Sequence, residues 1–442
     1  MFSVPFGDGT MTSLATTMSD YWRMVRHNRN FRRLWIAQIV SEMGDWFYAV
    51  AIYSLLLEFT GKASSVALAL VLQVLPQTFV GPMAGVINDR LSRKKVMIAA
   101  DLARAVIVGS MLLVRSRSMI WMVYPLLFLE TVMWAFFEPG RNSALPNIVS
   151  EEDLIIANTL SSTTWSFNFA VGSLLGGVVA AFVGRDAVFV INAISFIASA
   201  LLLGGMQFRE AHLEAHGPLR LKELVNYSPI VEGVRYVKSD LRLLAMVLVK
   251  GGIGIAGANW VLIPMMGETV FRLKGQGLTP SRAGMLSMSF LMGARGVGAL
   301  VGPLTTASWA GQNQMRLRYL ILVGFITGAM GYMLLGGAPN LWLACASVML
   351  AHIGGSMIWV CSTTLLQLNT EDRFRGRVFS ADLGFAMFMM ALTCYTAGLL
   401  VDAGSSVRTV AVLVGLAMLV PLVLWLWALG LWRERTRAHA AQ

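Results

Sequence analysis

Apolar runs of roughly twenty residues recur along the whole 442-residue chain, separated by short polar segments. A helix of that length crosses the roughly 30 Å hydrocarbon core of a bilayer. The runs lie at 34–57, 65–87, 96–114, 119–138, 159–183, 187–207, 243–266, 283–307, 318–337, 340–366, 379–401 and 407–431. The first half of the run at 159 is rich in Ser and Thr, and the run at 283 carries an arginine. Repeated spans of this kind predict an all-α membrane protein with twelve transmembrane helices. A bilayer offers no partner to an open strand edge. Composition agrees, because 56% of the residues are hydrophobic and 13% charged. Soluble domains run near 45–50% apolar and about 25% charged.

The net charge of +11 sits in short clusters between the apolar runs, so a nucleic-acid partner is not expected. If the N-terminus, every second loop and the C-terminus form one set, that set holds 24 Lys and Arg against 8 in the other loops. The bias predicts both termini on the cytoplasmic side of the cell (inner, or cytoplasmic) membrane. The polar residues before Asp20 contain no apolar segment typical of a cleaved signal, so the first span is expected to direct insertion. The longest internal polar stretch, 208–242, contains Gly217-Pro218 and a mixed-charge segment from Leu219 to Lys238 that suits a surface helix. It divides the chain into a cytoplasmic segment 1–33, six spans over 34–207, a linker 208–242, six spans over 243–431 and a tail 432–442. The two halves look related. Asn30-Phe31-Arg32-Arg33-Leu34 matches Asp240-Leu241-Arg242-Leu243-Leu244, and Gly85 matches Gly302 at a similar offset.

Between the second and third spans lies Gly85-Val86-Ile87-Asn88-Asp89-Arg90-Leu91-Ser92-Arg93-Lys94-Lys95. Gly85 permits close helix approach at a turn. Asp89 can hold an ion pair or a helix N-terminus in one conformation and release it in another. Arg90, Arg93 and Lys94 anchor the cytoplasmic face. This loop resembles the signature loop of the major facilitator superfamily, with Ser92 where that family has glycine and a changed turn expected. The resemblance implies two six-helix bundles, alternating access, and a central cavity lined by spans one, four, seven and ten. The matching loop of the second half, Gly302 to Gly311, lacks the charges.

In span five, Asn168, Gly172, Ser173, Gly176 and Gly177 resemble the superfamily's antiporter motif, with Ser173 in place of its proline. Small-residue packing through Gly172-x-x-x-Gly176 is the alternative. Phe137 to Pro146, Leu154 to Asn158, Gly44-Asp45-Trp46 and Arg375-Gly376-Arg377-Val378 are similar to the drug and siderophore exporter branch, which includes macrolide efflux proteins and the enterobactin exporter.

Charges inside spans are costly and mark function. Gln38, Glu42 and Asp45 form one polar stripe on span one, and Glu130 sits near the middle of span four. Such carboxylates could exchange a proton or hold a cationic substrate. Arg104 lies one turn from Asp101, which predicts a supporting pair. Arg295 lies deep in span eight, where a buried acid is the expected partner, and Lys250 could snorkel to the interface. Trp134, Phe136, Phe137, Trp165, Trp260 and Trp359, with 27 methionines, could line an adaptable apolar cavity. Cys345, Cys361 and Cys394 lie in apolar runs without metal-ligand spacing, and the five histidines make no catalytic pattern. Neither an enzyme nor a cofactor is expected.

The reading is a monomeric secondary transporter whose partners are a small-molecule substrate, a proton and the lipid bilayer. It would couple proton entry to export of an amphipathic compound. The alternatives are a lipid or lysophospholipid flippase on the same fold and, further off, a channel or receptor.

Overall fold

The computed structural model describes residues 18–150, 153–210, 213, 228–273, 278–310 and 313–440, and among them there is no strand. A short helix α1 (Met18–His27) precedes α2 (Arg29–Thr60), α3 (Ala63–Arg90), α4 (Arg93–Ser110), α5 (Val123–Ile148), α6 (Leu154–Phe182) and α7 (Arg185–Gly204). A second short helix α8 (Ser228–Ser239) opens the other half of the chain. It is followed by α9 (Leu241–Gly254), α10 (Asn259–Met265), α11 (Pro280–Ala310), α12 (Gln314–Gly337), α13 (Leu341–Asn369), α14 (Asp372–Asp402), α15 (Val407–Ala417) and α16 (Leu419–Ala440). A 3₁₀ turn at Ile255–Ala258 joins α9 to α10, and a π turn at Met266–Val270 follows α10.

Among the described residues, eleven segments are long and apolar enough to cross a membrane, from Ala63–Arg90 to Val407–Gly430. Helix α2 is of similar length but carries Arg29, Arg32, Arg33, Glu42, Asp45 and Glu58. It still buries Tyr48 to Leu56 on all sides, as a helix in the middle of a bundle does.

Local signals start and stop these helices. The Asn28 side chain accepts from the Phe31 backbone N–H at 2.9 Å, and that of Asp240 accepts from Arg242 at 2.7 Å. Each therefore caps the first long helix of its half. Asn313, Asn340 and Ser406 cap α12, α13 and α15 in the same way. Gly61, at φ 67°, ends α2 in the left-handed conformation that glycine adopts without strain.

Several helices run past the sequence-based limits. Helix α5 continues through Pro139 and Pro146 to Ile148 instead of ending near 138. Helix α3 continues to Arg90, so the turn falls at Leu91 and Ser92 rather than at Gly85. Of the expected linker helix, Ser228–Ser239 is helical, and 214–227 lies outside the described residues.

Glycines bring the helices together. A β-carbon on Gly44 would lie 2.3 Å from Asn192 Oδ1, so α2 and α7 touch closely there. One on Gly176 would lie 2.5 Å from the Phe47 Cα, so α6 is pressed against α2. The two halves meet through α6 with α11 and through α3 with α14. At the first contact a β-carbon on Gly177 would overlap Ser289, and one on Gly296 would lie 2.5 Å from the Ala170 Cα. At the second, Gly398 abuts Ser64 and Ala67, and the Asp402 carboxylate accepts from the backbone N–H groups of Ala63 at 2.8 Å and Ser64 at 3.1 Å. Asp402 thus caps α3 across the join. This contact, with the Ser54–Glu268 and Glu58–Ser281 hydrogen bonds, closes the end of the molecule away from the chain termini.

Candidate functional site

The centre of the first half is organised by Arg104 of α4, which is 2% exposed. Its Nε donates to Glu130 Oε1 of α5 at 2.8 Å and its Nη2 donates to Asp45 Oδ2 of α2 at 2.7 Å. The guanidinium carbon lies 4.0 Å above the Phe196 ring of α7. One side chain thereby ties four helices. Asp101, the partner expected from the sequence, stands 3.7 Å from Nη1 and neither of its buried oxygens accepts a hydrogen bond. Asp101 keeps this ion pair, and the shorter hydrogen bonds go to other helices. Arg104 extends past its own helix to the acids on α2 and α5, where donor geometry is better. Three carboxylates share one fixed positive charge. Asp45 is 27% exposed, the most open of the four.

One turn earlier on α2, Gln38 and Glu42 enter a second network. Gln38 Nε2 donates to Glu42 Oε1 at 2.9 Å, and Asn168 of α6 donates to Glu42 Oε2 at 3.1 Å. Arg141 of α5 reaches Gln38 Oε1 at 3.1 Å and pairs with Glu138 at 2.5 Å. Glu138 and Arg141, read from the sequence as the edge of a loop, are half-buried members of this network because α5 continues through them.

Where the halves meet lies an aromatic cluster. Trp46 of α2 stacks on Phe169 of α6, with centroids 4.2 Å apart, and lies parallel to Trp260 of α10 at 6.4 Å. Trp165 meets Trp46 edge-on at 5.8 Å. Arg295 of α11 rests on these rings, its guanidinium carbon 3.7 Å from the Trp260 centroid and 4.7 Å from that of Phe169. Among the described residues no acid pairs with it, where the sequence suggested a buried one. Arg295 Nε and Nη1 are buried without a hydrogen-bond acceptor. Trp46 and Phe169 are the aromatic members that the sequence reading did not select. Phe137, which it did select, is buried in the core.

In the second half Lys250 of α9 pairs with Asp382 of α14, the two being 3% and 1% exposed. Lys250 also lies 4.6 Å from the Trp359 ring. It does not snorkel, because a buried carboxylate on the facing helix holds it in place.

The signature loop makes bonds within its own half. Asp89 is 57% exposed and stands 3.6 Å from Arg93. Arg93 donates to the Ser143 carbonyl at 2.9 Å, and Lys94 Nζ to that of Met206 at 2.7 Å. Ser92 donates to Glu210 at 2.5 Å and caps α4 by accepting from Lys95 at 3.3 Å. Its φ of −61° needs no glycine, so serine fits the turn without strain. Arg90 closes α3, where a cation complements the helix dipole. Gly85 has open space where a β-carbon would stand, so the close approach expected there is not made in this conformation.

Gly172, Gly176 and Gly177 divide the motif of α6 between two faces. Gly172 and Gly176 receive Trp46 and Phe47 of α2, while Gly177 receives Ser289 of α11. Close packing accounts for all three, and α6 runs unbroken through Ser173. No cluster of His, Cys, Asp and Glu suited to a metal ion occurs among the described residues.

Residues 22–438 match the sequence model of a family described as transmembrane secretion effectors. The uncharacterized MFS-type transporter YfiS of Bacillus subtilis is 26% identical over 81% of this chain and 83% of its own length. Macrolide efflux protein A of Streptococcus pyogenes is 26% identical over 79% of this chain and 84% of its own. A crystallised point mutant of the nucleoside transporter NupG superposes with a TM-score of 0.70 at 11% identity, over 90% of this chain and 98% of that one, which establishes a shared fold. The chain is therefore a multi-pass membrane transporter, and it belongs to the transmembrane secretion effector family of the major facilitator superfamily.

Proposed function

We propose that this protein exports amphipathic small molecules from the cytoplasm in exchange for protons. The observation that carries the reading is Arg104 held between Asp45 and Glu130. These acids sit on α2 and α5, two helices that line the cavity in this fold. Their cluster contains more carboxylates than fixed positive charges, and net charge is costly within a bilayer, on the order of 2.5–3.5 kcal/mol per residue on insertion scales. A proton added at Asp45, the most exposed member of the cluster, removes one negative charge and weakens the hold of Arg104 on α2. Proton arrival is thereby linked to a movement of α2 against α4 and α5. The likeness to macrolide efflux protein A favours the outward direction.

In this reading α2 is a twelfth span. Its polar stripe of Gln38, Glu42 and Asp45 faces the other helices rather than lipid. The two sets of six spans are the rocking bodies of alternating access. The 24 to 8 distribution of Lys and Arg supports a reading with both termini in the cytoplasm, and in that reading the protein works as a monomer in the inner membrane. The closed end described above then faces outward, and the molecule is in an inward-facing state. Glu42 and Arg295 complete the cavity, and the signature loop with Gly172, Gly176 and Gly177 guides the exchange of conformations.

The test is internal pH in proteoliposomes on adding dyes, macrolides or siderophores. A substrate-dependent proton flux is expected, and Asp45→Asn and Glu130→Gln should abolish it while substrate still binds. Transport that ignores an imposed pH gradient and survives both substitutions would remove the proton from the mechanism.

A further inference from the structure

Arg295 stands at the midpoint of α11, fifteen residues from either end, or about 22 Å along the axis from each terminus. A cation at that depth is costly unless something compensates it. Elsewhere in the spans the chain supplies the compensation itself. Arg104 holds Asp45 and Glu130, Arg141 holds Glu138, and Lys250 holds Asp382. Arg295 instead lies on the faces of Trp260 and Phe169, and its Nε and Nη1 are buried with no acceptor. Trp260 Nε1, on the same ring that supports the guanidinium, is buried without an acceptor as well.

Ring faces offset part of the cost of a buried cation but supply no lone pair in the guanidinium plane. Three buried donors on two stacked side chains therefore lack acceptors, and an anion would supply lone pairs there. Their place in the molecule decides what kind of anion. Arg295 neighbours Gly296, which packs on Ala170 of α6, so it lies at the join of the two halves, where a transported molecule must touch both. The walls beside it are the flat faces of Trp46, Phe169 and Trp260, stacked nearly parallel.

We propose that Arg295, with the Trp260 indole N–H, binds the anionic group of the transported molecule, and that the substrate is an organic acid with a flat apolar body. This rests on the transport reading above and narrows its substrate class. The fork of the guanidinium takes a carboxylate or sulfonate through two hydrogen bonds, while the rings of α2, α6 and α10 take the apolar part.

The test is equilibrium binding, read by quenching of tryptophan fluorescence in the purified protein in phosphatidylcholine nanodiscs. The probes are naphthoate, its neutral amide and naphthylmethylamine. Because no pH gradient is present, the result is independent of proton coupling, and a failure of coupling would leave it standing. Naphthoate is expected to bind about tenfold or more tightly than the amide, the scale of a charge-assisted pair. Arg295→Gln should erase that preference while leaving affinity for the amide within about twofold, and Arg295→Lys should retain part of it. An unchanged melting temperature shows that the variants are folded. Equal binding of the three probes, no saturable binding of naphthoate, or parallel weakening of acid and amide in Arg295→Gln would overturn the proposal. Phosphatidylglycerol in the nanodiscs should not compete with naphthoate. Competition would assign the site to a lipid headgroup and overturn the organic-acid assignment.

Discussion

Asp402 offers a sharp test of how the conformations are balanced. Its carboxylate accepts from the first two backbone N–H groups of α3, at 2.8 and 3.1 Å, although it belongs to α14 of the other half. Both groups are orphan donors at a helix N-terminus, and the helix dipole adds to their pull on an anion. Removing a capping side chain costs about 0.5–2 kcal/mol, and the dipole contributes roughly 0.3–1 kcal/mol. Asp402 is exposed, so screening favours a total near 1 kcal/mol rather than the sum of the upper limits. The bond exists only while the halves are closed at this end, so the whole loss falls on one state. Asp402→Ala should therefore lower the ratio of closed to open molecules about fivefold. Asp402→Asn keeps a neutral acceptor and should lower it less. The assay is the distance distribution between spin labels at Ser118→Cys and Pro339→Cys, both exposed, after the three native cysteines are replaced. The expected result is growth of the long-distance population in Asp402→Ala at an unchanged melting temperature. An unaltered distribution would mean that the trans cap does not hold the gate, and that glycine packing alone closes it.

Other outcomes follow from the same geometry. Gly177→Ala should open the same end, because its β-carbon would overlap Ser289, and Ser289→Gly should restore closure in the double variant when read with the same labels. Lys250→Met should destabilise the protein by about 3–5 kcal/mol by leaving Asp382 buried alone. Lys250→Met with Asp382→Leu should recover most of that loss in thermal denaturation, and an equal loss in the double variant would show that the orphaned Asp382 charge is not its cause. Asp89→Asn should enrich the conformation described here, opposite in sign to Asp402→Ala, because Asp89 is 57% exposed and has only a 3.6 Å contact with Arg93. A fall in the closed population would show that Asp89 already stabilises this state.

The helices were legible because a bilayer imposes length and apolarity on each span. Their ends were less so. The apolar run ends at 138, yet α5 continues through Pro139 and Pro146, since neighbouring helices can compensate for lost backbone bonds. Charges inside spans were also legible as residues: Glu42, Asp45, Arg104, Glu130 and Arg295 all lie in polar or cation–π contacts. Their partners were not, because pairing depends on which helices face each other. Arg104 lies one turn from Asp101, but its hydrogen bonds go to α2 and α5. Lys250 finds Asp382 across 132 residues of sequence. The ring cluster of Trp46 and Phe169 beside Arg295 was not legible, because an aromatic in an apolar run looks the same whether it faces lipid or a cation.

The two halves contribute differently at the two ends of the molecule. At the end near the termini the charged loop belongs to the first half, and its counterpart from Gly302 to Gly311 has no charge. At the far end the second half supplies the carboxylate, Asp402, and the first half supplies the helix N-terminus. Glu58 of the first half and Glu268 of the second accept hydrogen bonds from Ser281 and Ser54 at that same end. Between the gates the first half carries excess acid around Arg104, and the second half carries Arg295 without an acid. In the exchange proposed above, a proton would relieve the first imbalance and an anionic substrate the second. If both occupy the molecule at once, neither imbalance remains to hold a conformation, so exchange of one for the other is the arrangement these charges favour.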